Sequence, residues 1–95
     1  MQKQELEEAI RDTPKILVLY GKENCTSCDM TKMALGRVNT SGWKVVHAKM
    51  EDLGEDHYKE MGLRQVPTLI AYKNGKESAR QTGFALPNAL SALVR

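Results

Sequence analysis

The run Ile16-Leu17-Val18-Leu19-Tyr20 constrains this chain more than any other stretch: five consecutive apolar or aromatic residues, rich in strand formers, too short for a helix and closed by Gly21. Such a run reads as a strand buried on both faces, and strands of that kind lie inside parallel or mixed sheets. Four residues beyond the glycine begins Cys25-Thr26-Ser27-Cys28, which holds the only two cysteines. A helical pattern starts directly after, so Cys25 is expected at a strand-to-helix corner, over backbone N–H groups that no helical carbonyl satisfies. That is a place for a thiolate.

The other elements follow from periodicity and punctuation. Leu6, Ala9 and Ile10 recur at helical spacing within Gln2 to Asp12, and Thr13-Pro14 stops that helix. Met30, Met33, Ala34 and Val38 form one stripe, which predicts a helix from about Thr26 to Val38, ended by Asn39-Thr40-Ser41-Gly42. Trp43 to Lys49 reads as a second strand, Glu55 to Met61 as a short helix closed by Gly62, and Val66 to Tyr72 as a third strand opened by Pro67. Asn74-Gly75 supplies the two positive φ angles of a type I′ turn, so Glu77 to Thr82 is expected to return antiparallel. Pro87 opens a last helix with Leu86, Leu90, Leu93 and Val94 on its inner face. The expected fold class is α/β: one domain over 1–95, order αβαβαββα, with helices on both faces of a four-stranded mixed sheet.

At 95 residues the chain is long enough to bury a single core without a disulfide staple. Its 14 basic and 12 acidic residues are interspersed and leave a formal charge of +2, so no nucleic-acid stripe and no membrane-binding tail stands out. The acidic start Met1-Gln2-Lys3-Gln4-Glu5-Leu6-Glu7-Glu8 is unlike a secretory leader, and no apolar run has the length of a bilayer span. A cytoplasmic monomer is expected. In a reducing compartment a C-x-x-C pair points to catalysis or metal binding instead of a permanent cross-link.

Taken together these features resemble the thioredoxin and glutaredoxin superfamily over nearly the whole chain. Tyr20-Gly21-Lys22-Glu23-Asn24-Cys25-Thr26-Ser27-Cys28 is similar to the glutaredoxin opening Tyr-x-Lys-x-x-Cys-x-x-Cys, whereas Met61 to Leu69, with Val66-Pro67-Thr68, and Tyr72-Lys73-Asn74-Gly75 resemble the second half of a thioredoxin. The resemblance implies a thioredoxin fold and a thiol–disulfide oxidoreductase without a bound cofactor. Cys25, expected to be the exposed thiol at the helix end, would attack a substrate disulfide, and Cys28, expected to be shielded, would resolve the mixed disulfide. It also implies that Pro67 is cis and packs on the cysteines, that Val66 offers its backbone to an extended substrate segment, and that Lys22, Gly83 and Phe84 flank the site. At a pKa near 8.5 only about 3% of Cys25 would be thiolate at pH 7, against about half at a pKa near 7, and the helix end supplies part of such a shift.

Departures from the family patterns refine the reading. Thioredoxins have a buried aspartate six residues before the first cysteine, where this chain has Leu19; their Gly-Pro between the cysteines is Thr26-Ser27 here. Without that acid, the Cys28 proton is expected to leave through water or with the Cys25 leaving group. The glutaredoxin glutathione clamp is replaced by Thr82-Gly83-Phe84-Ala85, so the expected partners are disulfide-containing proteins and a reductase of the thioredoxin-reductase type, not glutathione. The mixture resembles small redoxins that donate electrons to ribonucleotide reductase, and some viral redoxins. A glutathione-dependent glutaredoxin, a metal-binding C-x-x-C module and a non-catalytic adaptor of the same fold are the alternatives. His47 and His57 read as surface or packing residues, not in ligand spacing, and Met30 and Met33 as core filler.

Overall fold

The computed structural model describes all 95 residues. Four strands, β1 (Lys15–Gly21), β2 (Lys44–Lys49), β3 (Thr68–Lys73) and β4 (Lys76–Thr82), form one sheet in the order β2-β1-β3-β4. The β1–β2 pair is parallel; β1–β3 and β3–β4 are antiparallel. Five helices accompany them: α1 (Lys3–Asp12), α2 (Thr26–Leu35), α3 (Met50–Leu53), α4 (Glu55–Glu60) and α5 (Pro87–Ser91), the last running into a 3-10 turn over Ala92–Val94.

The period of two along β1 divides the core. Ile16, Val18 and Tyr20 pack with Leu6 of α1, Leu53 of α3 and Tyr58 of α4, while Leu17 and Leu19 pack with Leu35 of α2 and with Leu90 and Leu93 at the C-terminus. All five residues of the apolar run are buried, which is why this strand sits inside the sheet and carries a neighbour on each side. The Asn74-Gly75 turn forms as expected, with both residues at positive φ.

Several expectations are corrected. The α2 helix stops at Leu35 instead of Val38, and of its predicted apolar stripe Met30 and Met33 face outward, Met33 being 74% exposed. Leu86 is the N-cap of α5 and 61% exposed, so it is not on that helix's inner face. Between β2 and α4 lies the extra short helix α3, separated from α4 by Gly54 at φ 92°, a conformation that glycine reaches without a Cβ penalty. The third strand starts at Thr68, because Pro67 cannot donate to the ladder.

Candidate active site

The cysteine loop is fixed from both ends. Tyr58 Oη donates to the Gly21 carbonyl at 2.7 Å, its ring meets Tyr20 edge-on, and Tyr20 Oη shares a hydrogen bond with Tyr72 Oη at 2.8 Å. Burial, the largest cause in each case, holds both Tyr20 and Tyr58 above the usual tyrosine pKa, so these hydroxyls stay protonated struts. Gly21 carries no side chain where a Cβ would lie 3.3 Å from Cys28 Sγ. Asn24, at φ 54°, then turns the chain into α2; asparagine tolerates this left-handed region better than a bulkier residue would.

Cys25 is the N-cap of α2, and its sulfur accepts the Cys28 backbone N–H at 3.2 Å. Cys25 and Cys28 are joined as a disulfide with their Cα atoms 5.2 Å apart, inside the usual range of about 4.4 to 6.8 Å. Exposure does not separate the two sulfur-bearing residues, at 7% and 6%, contrary to the expectation of an exposed Cys25. Bonded to each other, both keep only slight solvent contact. What separates them is the space each meets. Cys25 lines a groove of about 360 Å³ together with Lys22, Ser27, Tyr58, Arg64 and Val66, whereas Cys28 lines a pocket of about 70 Å³ on the β2 side.

The Val66–Pro67 peptide is cis and Pro67 is buried. Gly83, at φ 83°, donates its N–H to the Pro67 carbonyl at 2.7 Å, and a Cβ there would collide with the Gln65 side chain. Lys22, Cys25 and Val66 thus share one groove, which neither Gly83 nor Phe84 lines. Phe84 lines a second groove with Met30, Met33, Arg37 and Leu86. Arg64, which the sequence reading passed over, faces the Cys25 groove; its place three residues before Pro67 was the available signal. Neither Lys22 nor Arg64 forms an ion pair within the chain, unlike Lys49, which pairs with Glu23. No group of three or more His, Cys, Asp or Glu converges in metal-ligand fashion.

Against known sequences, the family profile described as a thioredoxin-like domain matches residues 2–95. The chain belongs to that family. No curated protein matches this thioredoxin-like chain significantly. Among solved structures it is similar to a thioredoxin from Trypanosoma brucei brucei (TM-score 0.85, 14% identity, covering 99% of this chain and 83% of that one) and to a mutant thioredoxin from Halobacterium salinarum NRC-1 (0.84, 20%, 99% and 83%). It is also similar to Trxlp from Edwardsiella tarda EIB202 (0.79, 23%, 100% and 96%). The α/β thioredoxin fold expected from the sequence is the fold observed. A thioredoxin-like fold carrying a C-x-x-C pair at disulfide distance supports thiol–disulfide oxidoreductase chemistry.

Ser27 gives the pair a tunable feature: its hydroxyl lies 3.6 Å from Cys25 Sγ. A hydroxyl donating to the thiolate stabilises the reduced form and so raises the potential. With a net hydrogen bond worth about 1 kcal/mol and about 30 mV per 1.4 kcal/mol, Ser27→Ala is expected to lower the potential by roughly 20 mV. The unaltered protein is expected above about −270 mV, toward the range of about −200 to −230 mV. Equilibration against glutathione buffers measures both; a more negative wild-type value or an unchanged variant contradicts this.

Proposed function

We propose that this chain is a dithiol electron carrier that reduces disulfides in other proteins. The observation that carries the reading is the Cys25–Cys28 disulfide at the N-terminus of α2, with Cys25 opening on a groove beside Val66. In the reduced state the Cys25 thiolate attacks one sulfur of a substrate disulfide, the other substrate sulfur leaves, and Cys25 is held in a mixed disulfide. Cys28 then attacks Cys25 Sγ, the second substrate sulfur leaves, and the internal disulfide is restored with two electrons passed to the substrate. A reductase returns them.

Protein substrates are favoured by a second surface, formed by α2 and the segment that leads into α5. Apart from Met1, every exposed large hydrophobic residue of the chain, Met30, Met33, Phe84 and Leu86, lies on the one groove of about 250 Å³. Exposed apolar patches of this kind mark interaction sites, and methionine adapts to varied partners. Arg37, exposed and without an ion pair, is the only charged residue lining it, which suits an apolar segment ending in an acid next to the substrate cysteine. Met33→Lys with Leu86→Lys is expected to raise KM for insulin reduction about 5- to 30-fold, worth about 1 to 2 kcal/mol, with turnover of bis(2-hydroxyethyl) disulfide unaltered. Equal effects on both substrates would remove the patch from recognition.

The electron source divides two readings. A thioredoxin-reductase-type donor is proposed first, in the cytoplasm, with ribonucleotide reductase among the acceptors that the Tyr20-to-Cys28 resemblance suggests. The second reading, a glutathione-dependent cycle, is favoured by the unpaired cations Lys22 and Arg64, which are suited to peptide carboxylates. Turnover of the oxidised protein with NADPH and thioredoxin reductase, against NADPH, glutathione and glutathione reductase, decides between them; turnover with neither overturns the carrier reading.

A further inference from the structure

We propose that His47 receives the Cys28 proton, through water held in the small pocket between them, as Cys28 resolves the mixed disulfide on Cys25. This rests on the carrier reading above and names a residue for a step that this chain must perform without a buried acid.

Leu19 and His47 stand directly opposite each other in the parallel β1–β2 ladder, and partners in a ladder project from the same face. That face is the one covered by α2, since Leu19 packs with Leu35. Leu19, Gly21, Cys28, His47 and Ala48 all line the pocket of about 70 Å³, which has room for about two waters at roughly 30 Å³ each. The charged groups around it are Asp29 and Lys32 from α2, Lys22 from the cysteine loop and Lys49 from β2. Lys49 is paired with Glu23, which leaves Lys22 and Lys32 against Asp29, a net positive surround that favours a thiolate at Cys28.

Few of these groups are able to take the proton. A protonated lysine has no lone pair to offer, and a carboxylate is a far weaker base than an imidazole. Burial first, and then the charge of Lys32, hold His47 below the usual histidine pKa, so that it is neutral and open to a proton near pH 7. His47 is itself an exposed residue, and the proton passes on to solvent. In the step itself the Cys28 S–H bond breaks and its proton moves through water to His47. The Cys28 sulfur pair then forms the bond to Cys25 Sγ, and the Cys25–substrate S–S bond breaks with its electrons on the departing substrate thiolate.

Reduced protein mixed with stoichiometric 5,5′-dithiobis(2-nitrobenzoate) separates the two steps, because one thionitrobenzoate is released on forming the mixed disulfide and a second on resolving it. In His47→Gln and His47→Ala the second release is expected to slow by roughly 10- to 100-fold, the low end of general-base effects, with the first unchanged. In the wild type the second release is expected to fall as pH drops through a value below about 6.5, where the imidazole is already protonated, and this inflection is expected to vanish in both variants. Added imidazole is expected to restore the second release in His47→Ala. An unchanged second phase with an unchanged pH profile, or a slowed one that imidazole does not restore, overturns the proposal. A wild-type protein that gives no second phase overturns the carrier reading instead.

Discussion

Cys25→Ser is expected to abolish disulfide reduction, a loss of several orders of magnitude, whereas Cys28→Ser is expected to react once and then stall as a mixed disulfide through Cys25. The asymmetry follows from position. Cys25 caps α2 and opens on the substrate groove; Cys28 lies one turn further along the helix, behind Gly21 and beside the small β2-side pocket. A hydroxyl in place of the attacking thiol is scarcely ionised near neutral pH, so no first step occurs, while loss of the resolving thiol leaves that step intact. Mass spectrometry of each variant after exposure to a protein disulfide reads the outcome. An adduct found chiefly through Cys28 would exchange the two roles.

The second large effect is on stability. Leu19→Asp is expected to cost roughly 3 kcal/mol or more, because Leu19 is 4% exposed and packed with Leu17, Leu35 and Leu69, and the new carboxyl loses both the apolar contacts and its hydration. A buried acid has its pKa raised, so the folded state binds the proton more tightly than the unfolded one. The penalty therefore grows as pH rises through about 4 and levels off above the raised value. Urea midpoints at several pH values check this. No acceleration of turnover is expected near neutral pH. A large rate gain with a new pH dependence between about pH 6 and 9 would show that removing the Cys28 proton limits the natural chain.

The sequence was most legible where a single local force governs. Ile16 to Tyr20 had to be a central strand because five apolar side chains in a row need cover on both faces, and Asn74-Gly75 had to turn because its φ angles suit little else. Legibility failed where burial depends on what lies opposite. Met30, Met33 and Leu86 have the spacing of inner-face residues, but nothing packs over them: Leu35, Leu90 and Leu93 already fill that side of the sheet. The cysteine pair was plain; its neighbours Arg64 and His47 were not, since each meets a sulfur's pocket from an element distant in sequence. His57, read as a surface or packing residue, is buried, a choice that its polar stretch left open.

Because a cysteine sulfur is itself the cap of α2, redox chemistry and folding are two edges of one thermodynamic square. Whatever extra stabilisation the helix end gives the reduced form over the oxidised one must reappear, joule for joule, as a potential more oxidising than that of the same two cysteines in the unfolded chain. The chain can therefore tune its driving force without touching either sulfur. Any substitution that strengthens the first turn of α2 for an anion makes the reduced protein harder to unfold and, by the same amount, a poorer reductant.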